Sequence, residues 1–338
     1  MTIQKNISLK EYNTFHVEAS AKYFCEVNDL IELESLFVDD RFRDEKKLIL
    51  GGGSNILFTK DFNGIVIKNN IGGIEVISED QESILIKVGA GNDWDEFVEY
   101  TVSSGFNGLE NLSLIPGTVG ASPIQNIGAY GVEVKDVIET VNGFDLEDFK
   151  EKTFTNSECR FDYRDSIFKS ELKNKFMVTS VVFNLSKDGK VKSNYEAIKN
   201  YISEKNIREI TPSEIRKAVI EIRKSKLPDP QEIGNAGSFF RNPVITKEKF
   251  ESVKSKYPDL RGYKVNDNSI KISAGWLIEK CGLKGKRSKD VEIYDKQALV
   301  IVNYGSASGI EIKNIAEEIR DIVLDEFNIS LQFEVNIL

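Results

Sequence analysis

The chain has 338 residues, with 45 Lys and Arg against 54 Asp and Glu and a single histidine, His16, for a formal net charge of −9. With 40% apolar and 29% charged residues it reads as a globular protein of two or perhaps three domains. The acidic balance argues against a nucleic-acid or anionic-membrane surface but leaves room for a local basic pocket, and one histidine excludes every two-histidine metal site and leaves a Ser-His-Asp triad a single base.

Cys25, Cys159 and Cys281 lie far apart and form no C-x-x-C pair, so neither a zinc ribbon nor a disulfide framework is written here. The first residues lack the apolar core of a signal peptide, and no stretch approaches the roughly 18 apolar residues of a membrane span. The expectation is a soluble cytoplasmic protein without a metal.

Up to about residue 190 the chain consists mostly of short β-branched runs between Gly and Asn: KLILGGGSN (47–55), GIVIK (64–68), SILIKVGAG (83–91) and FMVTSVVFNLS (176–186). One amphipathic helix is expected among them, with Trp94, Phe97, Val98, Thr101 and Val102 on one face and Gly105 as its stop. From Thr211-Pro212-Ser213-Glu214, a capping box with proline at the first helical position, the pattern turns helical. That helix carries Ile215, Ala218, Val219 and Ile222 as its stripe and runs into a basic end stopped by Pro228. Ser273 is expected to cap a helix through Leu277, Ile278 and Cys281 to Gly282, and Ser308 another through Ile315, Ile319, Ile322 and Phe327. QALVIVN (297–303) reads as a buried strand. ISLQFEVNIL at the end alternates, with Ile329, Leu331, Phe333, Val335 and Ile337 on one face and Ser330, Gln332, Glu334 and Asn336 on the other. The fold class is therefore α+β, strand-rich first and helix-rich second.

Two glycine-rich segments could carry chemistry. Gly51-Gly52-Gly53-Ser54-Asn55 follows an apolar strand and frees amide N–H groups to cradle phosphate, although it fits neither a P-loop nor a Rossmann fingerprint, and a tight structural turn is an equal reading. GLENLSLIPGTVGASPIQNIGAYG (108–131) holds five glycines, two prolines and few charges. Such a loop suits an apolar ring system and a pyrophosphate, or else a buried connection.

NTF (13–15), GGGSN (51–55), the 108–131 run with VEV after it, CRFDYRDSIFK (159–169), KLPDP (226–230) and GNAGSFFRNP (234–243) occur in that order. Together, and over nearly the whole chain, they resemble the UDP-N-acetylenolpyruvoylglucosamine reductase family. The resemblance implies an FAD-binding region of the vanillyl-alcohol-oxidase type in 1–210, as two α+β lobes with the strand 329–338 as a candidate to complete it, and a substrate-binding domain in 211–328. It implies non-covalent FAD held by Gly51, Gly52, Gly53, Ser54, Asn55, Ile115, Pro116, Gly117, Gly120, Ala121, Ser122, Asn126 and Gly128, with NADPH as co-substrate. The family's reaction passes hydride from NADPH to FAD and on to an enolpyruvyl double bond.

By the same resemblance Arg164, in YRDS, faces the substrate carboxylate; a planar, permanently charged donor suits the charge that develops there. Read alone, an arginine between Asp162 and Asp165 is an ordinary surface ion pair. Ser238 matches the family's proton donor, and Glu334 its glutamate. A serine hydroxyl is a weak acid and can serve only against a strongly basic carbanion or enolate held in contact. Asn336 departs from the basic residue that many relatives carry two positions after the glutamate. Substrate binding falls to Tyr130, Tyr195, Lys226, Asn242 and Gln297. Small-molecule partners only are expected, with no obligatory protein partner. A flavin oxidoreductase of different substrate would not need YRDS, NAGSFF and Glu334 together, and a catalytically silent sugar-nucleotide-binding protein would tolerate loss of Arg164 or Ser238.

Overall fold

The computed structural model describes residues 1–147 and 149–338. They form two compact units: one of 1–7, 21–52 and 63–225, the other of 8–20, 53–62 and 226–338.

Among the described residues the first unit holds two large sheets and the short pair Gly128–Ala129 with Val132–Glu133. Glu151–Thr155, Ile138–Asp145, Phe176–Ser186, Ser83–Gly89 and Ile74–Glu79 form a five-stranded antiparallel sheet in that order. Phe176–Ser186 is the whole predicted run, and from Phe176 to Phe183 it is buried without alternation because both its faces are covered. Val178, Val181, Phe183 and Leu185 pack with Trp94, Phe97 and Leu112, while Met177 packs with Cys25, Leu33, Phe42 and Ile65. The second sheet runs Gln4–Ser8, Ser20–Val27, Phe62–Asn69 and Lys47–Leu50, its last two strands parallel. The expected helix is Trp94–Ser103: Asp93 caps it by accepting from Glu96 N, and Gly105 follows at φ +83°.

The helix Pro212–Lys226 also belongs to this unit up to Ser225. Glu214 N donates to Thr211 Oγ1 at 3.2 Å, the N-cap half of the expected capping box. Its stripe residues Ile215 and Val219 pack on Ile198, and Arg216 forks onto Asp95 at 2.6 and 3.1 Å. These contacts tie the helix to the strand-rich half, so the compact units divide after Ser225, whereas the sequence pattern changes at 211.

The second unit is built on the antiparallel order Gly234–Ser238, Val300–Asn303, Val291–Ile293, Arg287–Ser288, with a three-stranded sheet of Val244–Thr246, Ser269–Ile272 and Gly262–Lys264. Ser273 caps Ala274–Lys280, and Ser308 opens Gly309–Phe327 with a full capping box to Glu311. The C-terminal segment keeps its alternation, with Ile329, Leu331 and Val335 buried, yet only Asn336–Ile337 is a strand, paired parallel with Ile56–Leu57. Residues 329–338 thus fall in the second unit. Among the described residues no helix is long and apolar enough to cross a membrane, and no group of three His, Cys, Asp or Glu is placed to hold a metal.

Candidate functional site

In the first unit the two glycine-rich segments meet. A Cβ on Gly52 would stand 2.8 Å from Gly117 Cα, and one on Gly51 2.7 Å from Thr118 Oγ1, so backbone lies against backbone. Lys68 donates from Nζ to Gly51 O at 2.6 Å and holds the first glycine in place. Val119 N donates to Asn92 O and Gly120 N to Ala90 O, both at 2.9 Å, which fastens the second segment to the turn before the helix Trp94–Ser103. Gly120 has room for nothing larger: its Cβ would fall 2.5 Å from Ala90 Cβ.

Ile115 packs on the main core, while Pro116 is exposed and Ala121 half-buried. Ser122 is buried, and its Oγ has no hydrogen-bond partner. Such an orphan is costly unless a ligand completes it. Asn126 is fully buried in the left-handed region at φ 43°; it donates to Glu133 Oε2 and to Asp162 O, each at 3.0 Å, and accepts from Lys135 N. The close backbone cradle and the orphaned hydroxyl fit the flavin cofactor that the sequence leads one to expect. Gly53, Ser54 and Asn55 stand in the second unit, where Gly53 O accepts from Thr14 N at 3.2 Å.

We expect Gly52→Ala to cost about 1–3 kcal/mol through overpacking against Gly117, and to lower the FAD retained on purification. Flavin absorbance per protein and a thermal melt check this; full loading with an unchanged melt would contradict it.

Asn126 ties this loop to the tight turn 162–165, in which Asp162 and Asp165 exchange backbone hydrogen bonds at 3.0 and 3.1 Å. Arg164 occupies its left-handed position at φ 55° and sends Nη2 to Gly128 O at 2.7 Å. Its guanidinium thus turns to the glycine loop, where the flanking aspartates had suggested a surface pair. Tyr130, two residues beyond Gly128, is also left-handed at φ 50° and meets the exposed Tyr195 ring edge-on at 5.4 Å.

Arg223 joins this group, and sequence reasoning missed it. Its Nε donates to Leu114 O at 3.2 Å, and its side chain is hydrogen-bonded to Tyr130. Burial pushes the Arg223 guanidinium below the ordinary arginine range, with repulsion from Arg164 acting the same way and Tyr130 and Asp95 opposing. Burial likewise raises the Tyr130 phenol. A signal was available: position 223 continues the apolar spacing 215, 219, 222, so a charge sits on the buried stripe.

In the second unit Ser238 ends the strand Gly234–Ser238 and is exposed, whereas Phe239 and Phe240 are buried. Glu334 N donates to Phe239 O at 2.8 Å, so the backbone of Glu334 lies against the residue that follows Ser238. The Glu334 side chain is only 10% exposed and paired with Arg241 at 3.0 Å, so the polar face on which alternation places it is covered here. Residues 239–241 cover it. Asn336 donates from Nδ2 to Asn55 O at 3.1 Å, and Asn55 Nδ2 donates to Glu334 O at 3.3 Å. Asn242 Oδ1 accepts from Ala274 N at 3.0 Å, and a Cβ on Gly275 would lie 3.2 Å from Gln297 Oε1. Both amides therefore gather at the start of one helix, and Lys226 is exposed at the beginning of the unit.

His16 bonds Pro230 O at 2.8 Å. Burial pushes the Cys25 and Cys159 thiols up to about 12, which leaves them inert packing groups.

Residues 229–338 match the family model described as UDP-N-acetylenolpyruvoylglucosamine reductase, C-terminal domain, and residues 23–148 one described as an FAD binding domain. The chain is 47% identical to the UDP-N-acetylenolpyruvoylglucosamine reductase of Flavobacterium johnsoniae and 43% identical to that of Chromobacterium violaceum, with 100% of each chain covered in both cases. It is similar to a crystal structure of the Thermus caldophilus reductase, at TM-score 0.67 and 25% identity over 100% of this chain and 99% of that one.

Proposed function

Because the chain belongs to the UDP-N-acetylenolpyruvoylglucosamine reductase family and is a flavin-dependent oxidoreductase, we propose that it reduces UDP-N-acetylglucosamine enolpyruvate to UDP-N-acetylmuramate with NADPH, as a cytoplasmic step of peptidoglycan precursor synthesis. FAD, when bound, carries hydride from NADPH to one carbon of the enolpyruvyl double bond. A proton must then reach the other carbon, and negative charge on the carboxylate side must be held meanwhile.

The observation that supports this reading most is the gathering of Arg164 and Arg223 at the Leu114–Gly128 loop of an otherwise acidic chain. A buried guanidinium repelled by a second one gains when an anion joins them. Arg164, held by Gly128, is the group we assign to the substrate carboxylate. Ser238, exposed and set by a strand end, is the proton donor to carbon. Glu334, whose backbone bonds the residue after Ser238, assists the enol-like intermediate. Tyr130, Tyr195, Lys226, Asn242 and Gln297 bind the sugar nucleotide, the lysine suiting diphosphate and the amides the sugar and uracil edges.

The test is consumption of NADPH by the FAD-loaded protein, with and without UDP-N-acetylglucosamine enolpyruvate, together with identification of the product. The expected outcome is NADPH oxidation that depends on the enolpyruvyl sugar and yields UDP-N-acetylmuramate. A protein that binds the sugar nucleotide but turns nothing over would be a silent binder instead.

A further inference from the structure

Glu334 lies opposite an arginine that the proposed reaction does not yet use. Arg241 Nε stands 3.0 Å from Glu334 Oε2, with the arginine side chain 23% exposed and the glutamate 10%. Both facing atoms are closed off from solvent, and the N–H is angled away from the oxygen, so the contact is an ion pair and not an in-line hydrogen bond.

The backbone builds this pairing. Phe240 bridges Phe333, Arg241 N donates to Gln332 O at 2.9 Å, and Glu334 N donates to Phe239 O at 2.8 Å. The rings of Phe239, Phe240 and Phe333 pack on one another at 5.5 to 5.6 Å and keep the two segments together. A charge pair shut away from water is a poor way to gain stability, since apolar residues of similar volume often do as well or better. What it does supply is placement: a permanently charged guanidinium 3.0 Å away draws the carboxylate to one place.

We propose that Arg241 is a positioning residue, which holds the Glu334 carboxylate in one place and acts on the reaction only through Glu334. This rests on the reading of Glu334 as a group that assists protonation of the substrate. Lysine would keep the charge but not the shape of the guanidinium, so it restores the placement only in part.

The test is a double-mutant cycle on the full FAD-loaded chain, with Arg241→Gln, Glu334→Gln and the two combined, and Arg241→Lys alongside. Flavin reduction by NADPH and reoxidation by UDP-N-acetylglucosamine enolpyruvate are timed separately. Arg241→Gln should slow reoxidation on the order of tenfold or more by misplacing its partner, leave reduction unchanged, and be partly rescued in Arg241→Lys. In the Glu334→Gln background the same change should alter reoxidation by less than about twofold, because nothing charged remains to be positioned. Should Arg241→Gln fail to hold FAD, the cycle runs with Arg241→Lys, which leaves no unpaired buried charge. Losses that simply add, or reoxidation slowed by Glu334→Gln but untouched by the Arg241 change, overturn the role of Arg241. Reoxidation unaffected by Glu334→Gln overturns the reading of Glu334, and the proposal with it.

Discussion

Ser238→Ala is expected to slow reoxidation of the flavin by UDP-N-acetylglucosamine enolpyruvate by about 10²- to 10⁴-fold, the loss typical of a positioned proton donor, while reduction by NADPH stays unchanged. The substitution isolates the hydroxyl because the backbone around it is set by other groups. Asn235, buried, donates from Nδ2 to Pro228 O at 3.3 Å and to Ile233 O at 2.8 Å, and its Oδ1 accepts from Gly237 N at 3.0 Å. Gly237 takes φ +65°, and the pairing with Val300–Asn303 shifts register between Asn235 and Ser238. An irregularity of this kind re-aims the side chain that follows it, and here it leaves Ser238 exposed before buried Phe239. Alanine needs none of these contacts to change. Equal slowing of both half-reactions would remove Ser238 as the donor.

Arg164→Lys is expected to cost about 10²- to 10³-fold in the same reoxidation step, the scale for removing one preorganised donor from developing charge. Arg164 spends Nη2 on Gly128 O at 2.7 Å and still has further N–H groups in the same plane. A lysine ammonium cannot keep that bond and also offer a parallel pair to a carboxylate. The backbone position, φ 55° in the 162–165 turn, is the same for both side chains, so the loss reports the head group. Near-normal reoxidation in Arg164→Lys would assign the carboxylate to another cation, with Arg223 the first candidate.

Much of the fold was legible in the sequence where local rules suffice. The caps at Ser273 and Ser308 and the run Phe176–Ser186 are written in neighbouring residues. The helix Leu30–Phe37 and the wholly exposed strand Ile74–Glu79 were not read, the latter because a strand with no buried face has no alternation to show. The site was legible chiefly through motif resemblance. What the motifs omit are contacts across long separations: Arg223 on Leu114, Arg241 on Glu334, Lys68 on Gly51. Glu334 shows the limit well. Alternation along its own segment places it on a polar face, but whether that face is wet depends on residues more than ninety positions earlier.

The most direct test of the central claim is an anaerobic stopped-flow record of flavin absorbance, the FAD-loaded protein being mixed first with NADPH and then with UDP-N-acetylglucosamine enolpyruvate. The account predicts bleaching by NADPH and recovery only when the enolpyruvyl sugar nucleotide is added. Bleaching without that recovery would contradict the substrate assignment, and a protein with no affinity for FAD would contradict the account as a whole.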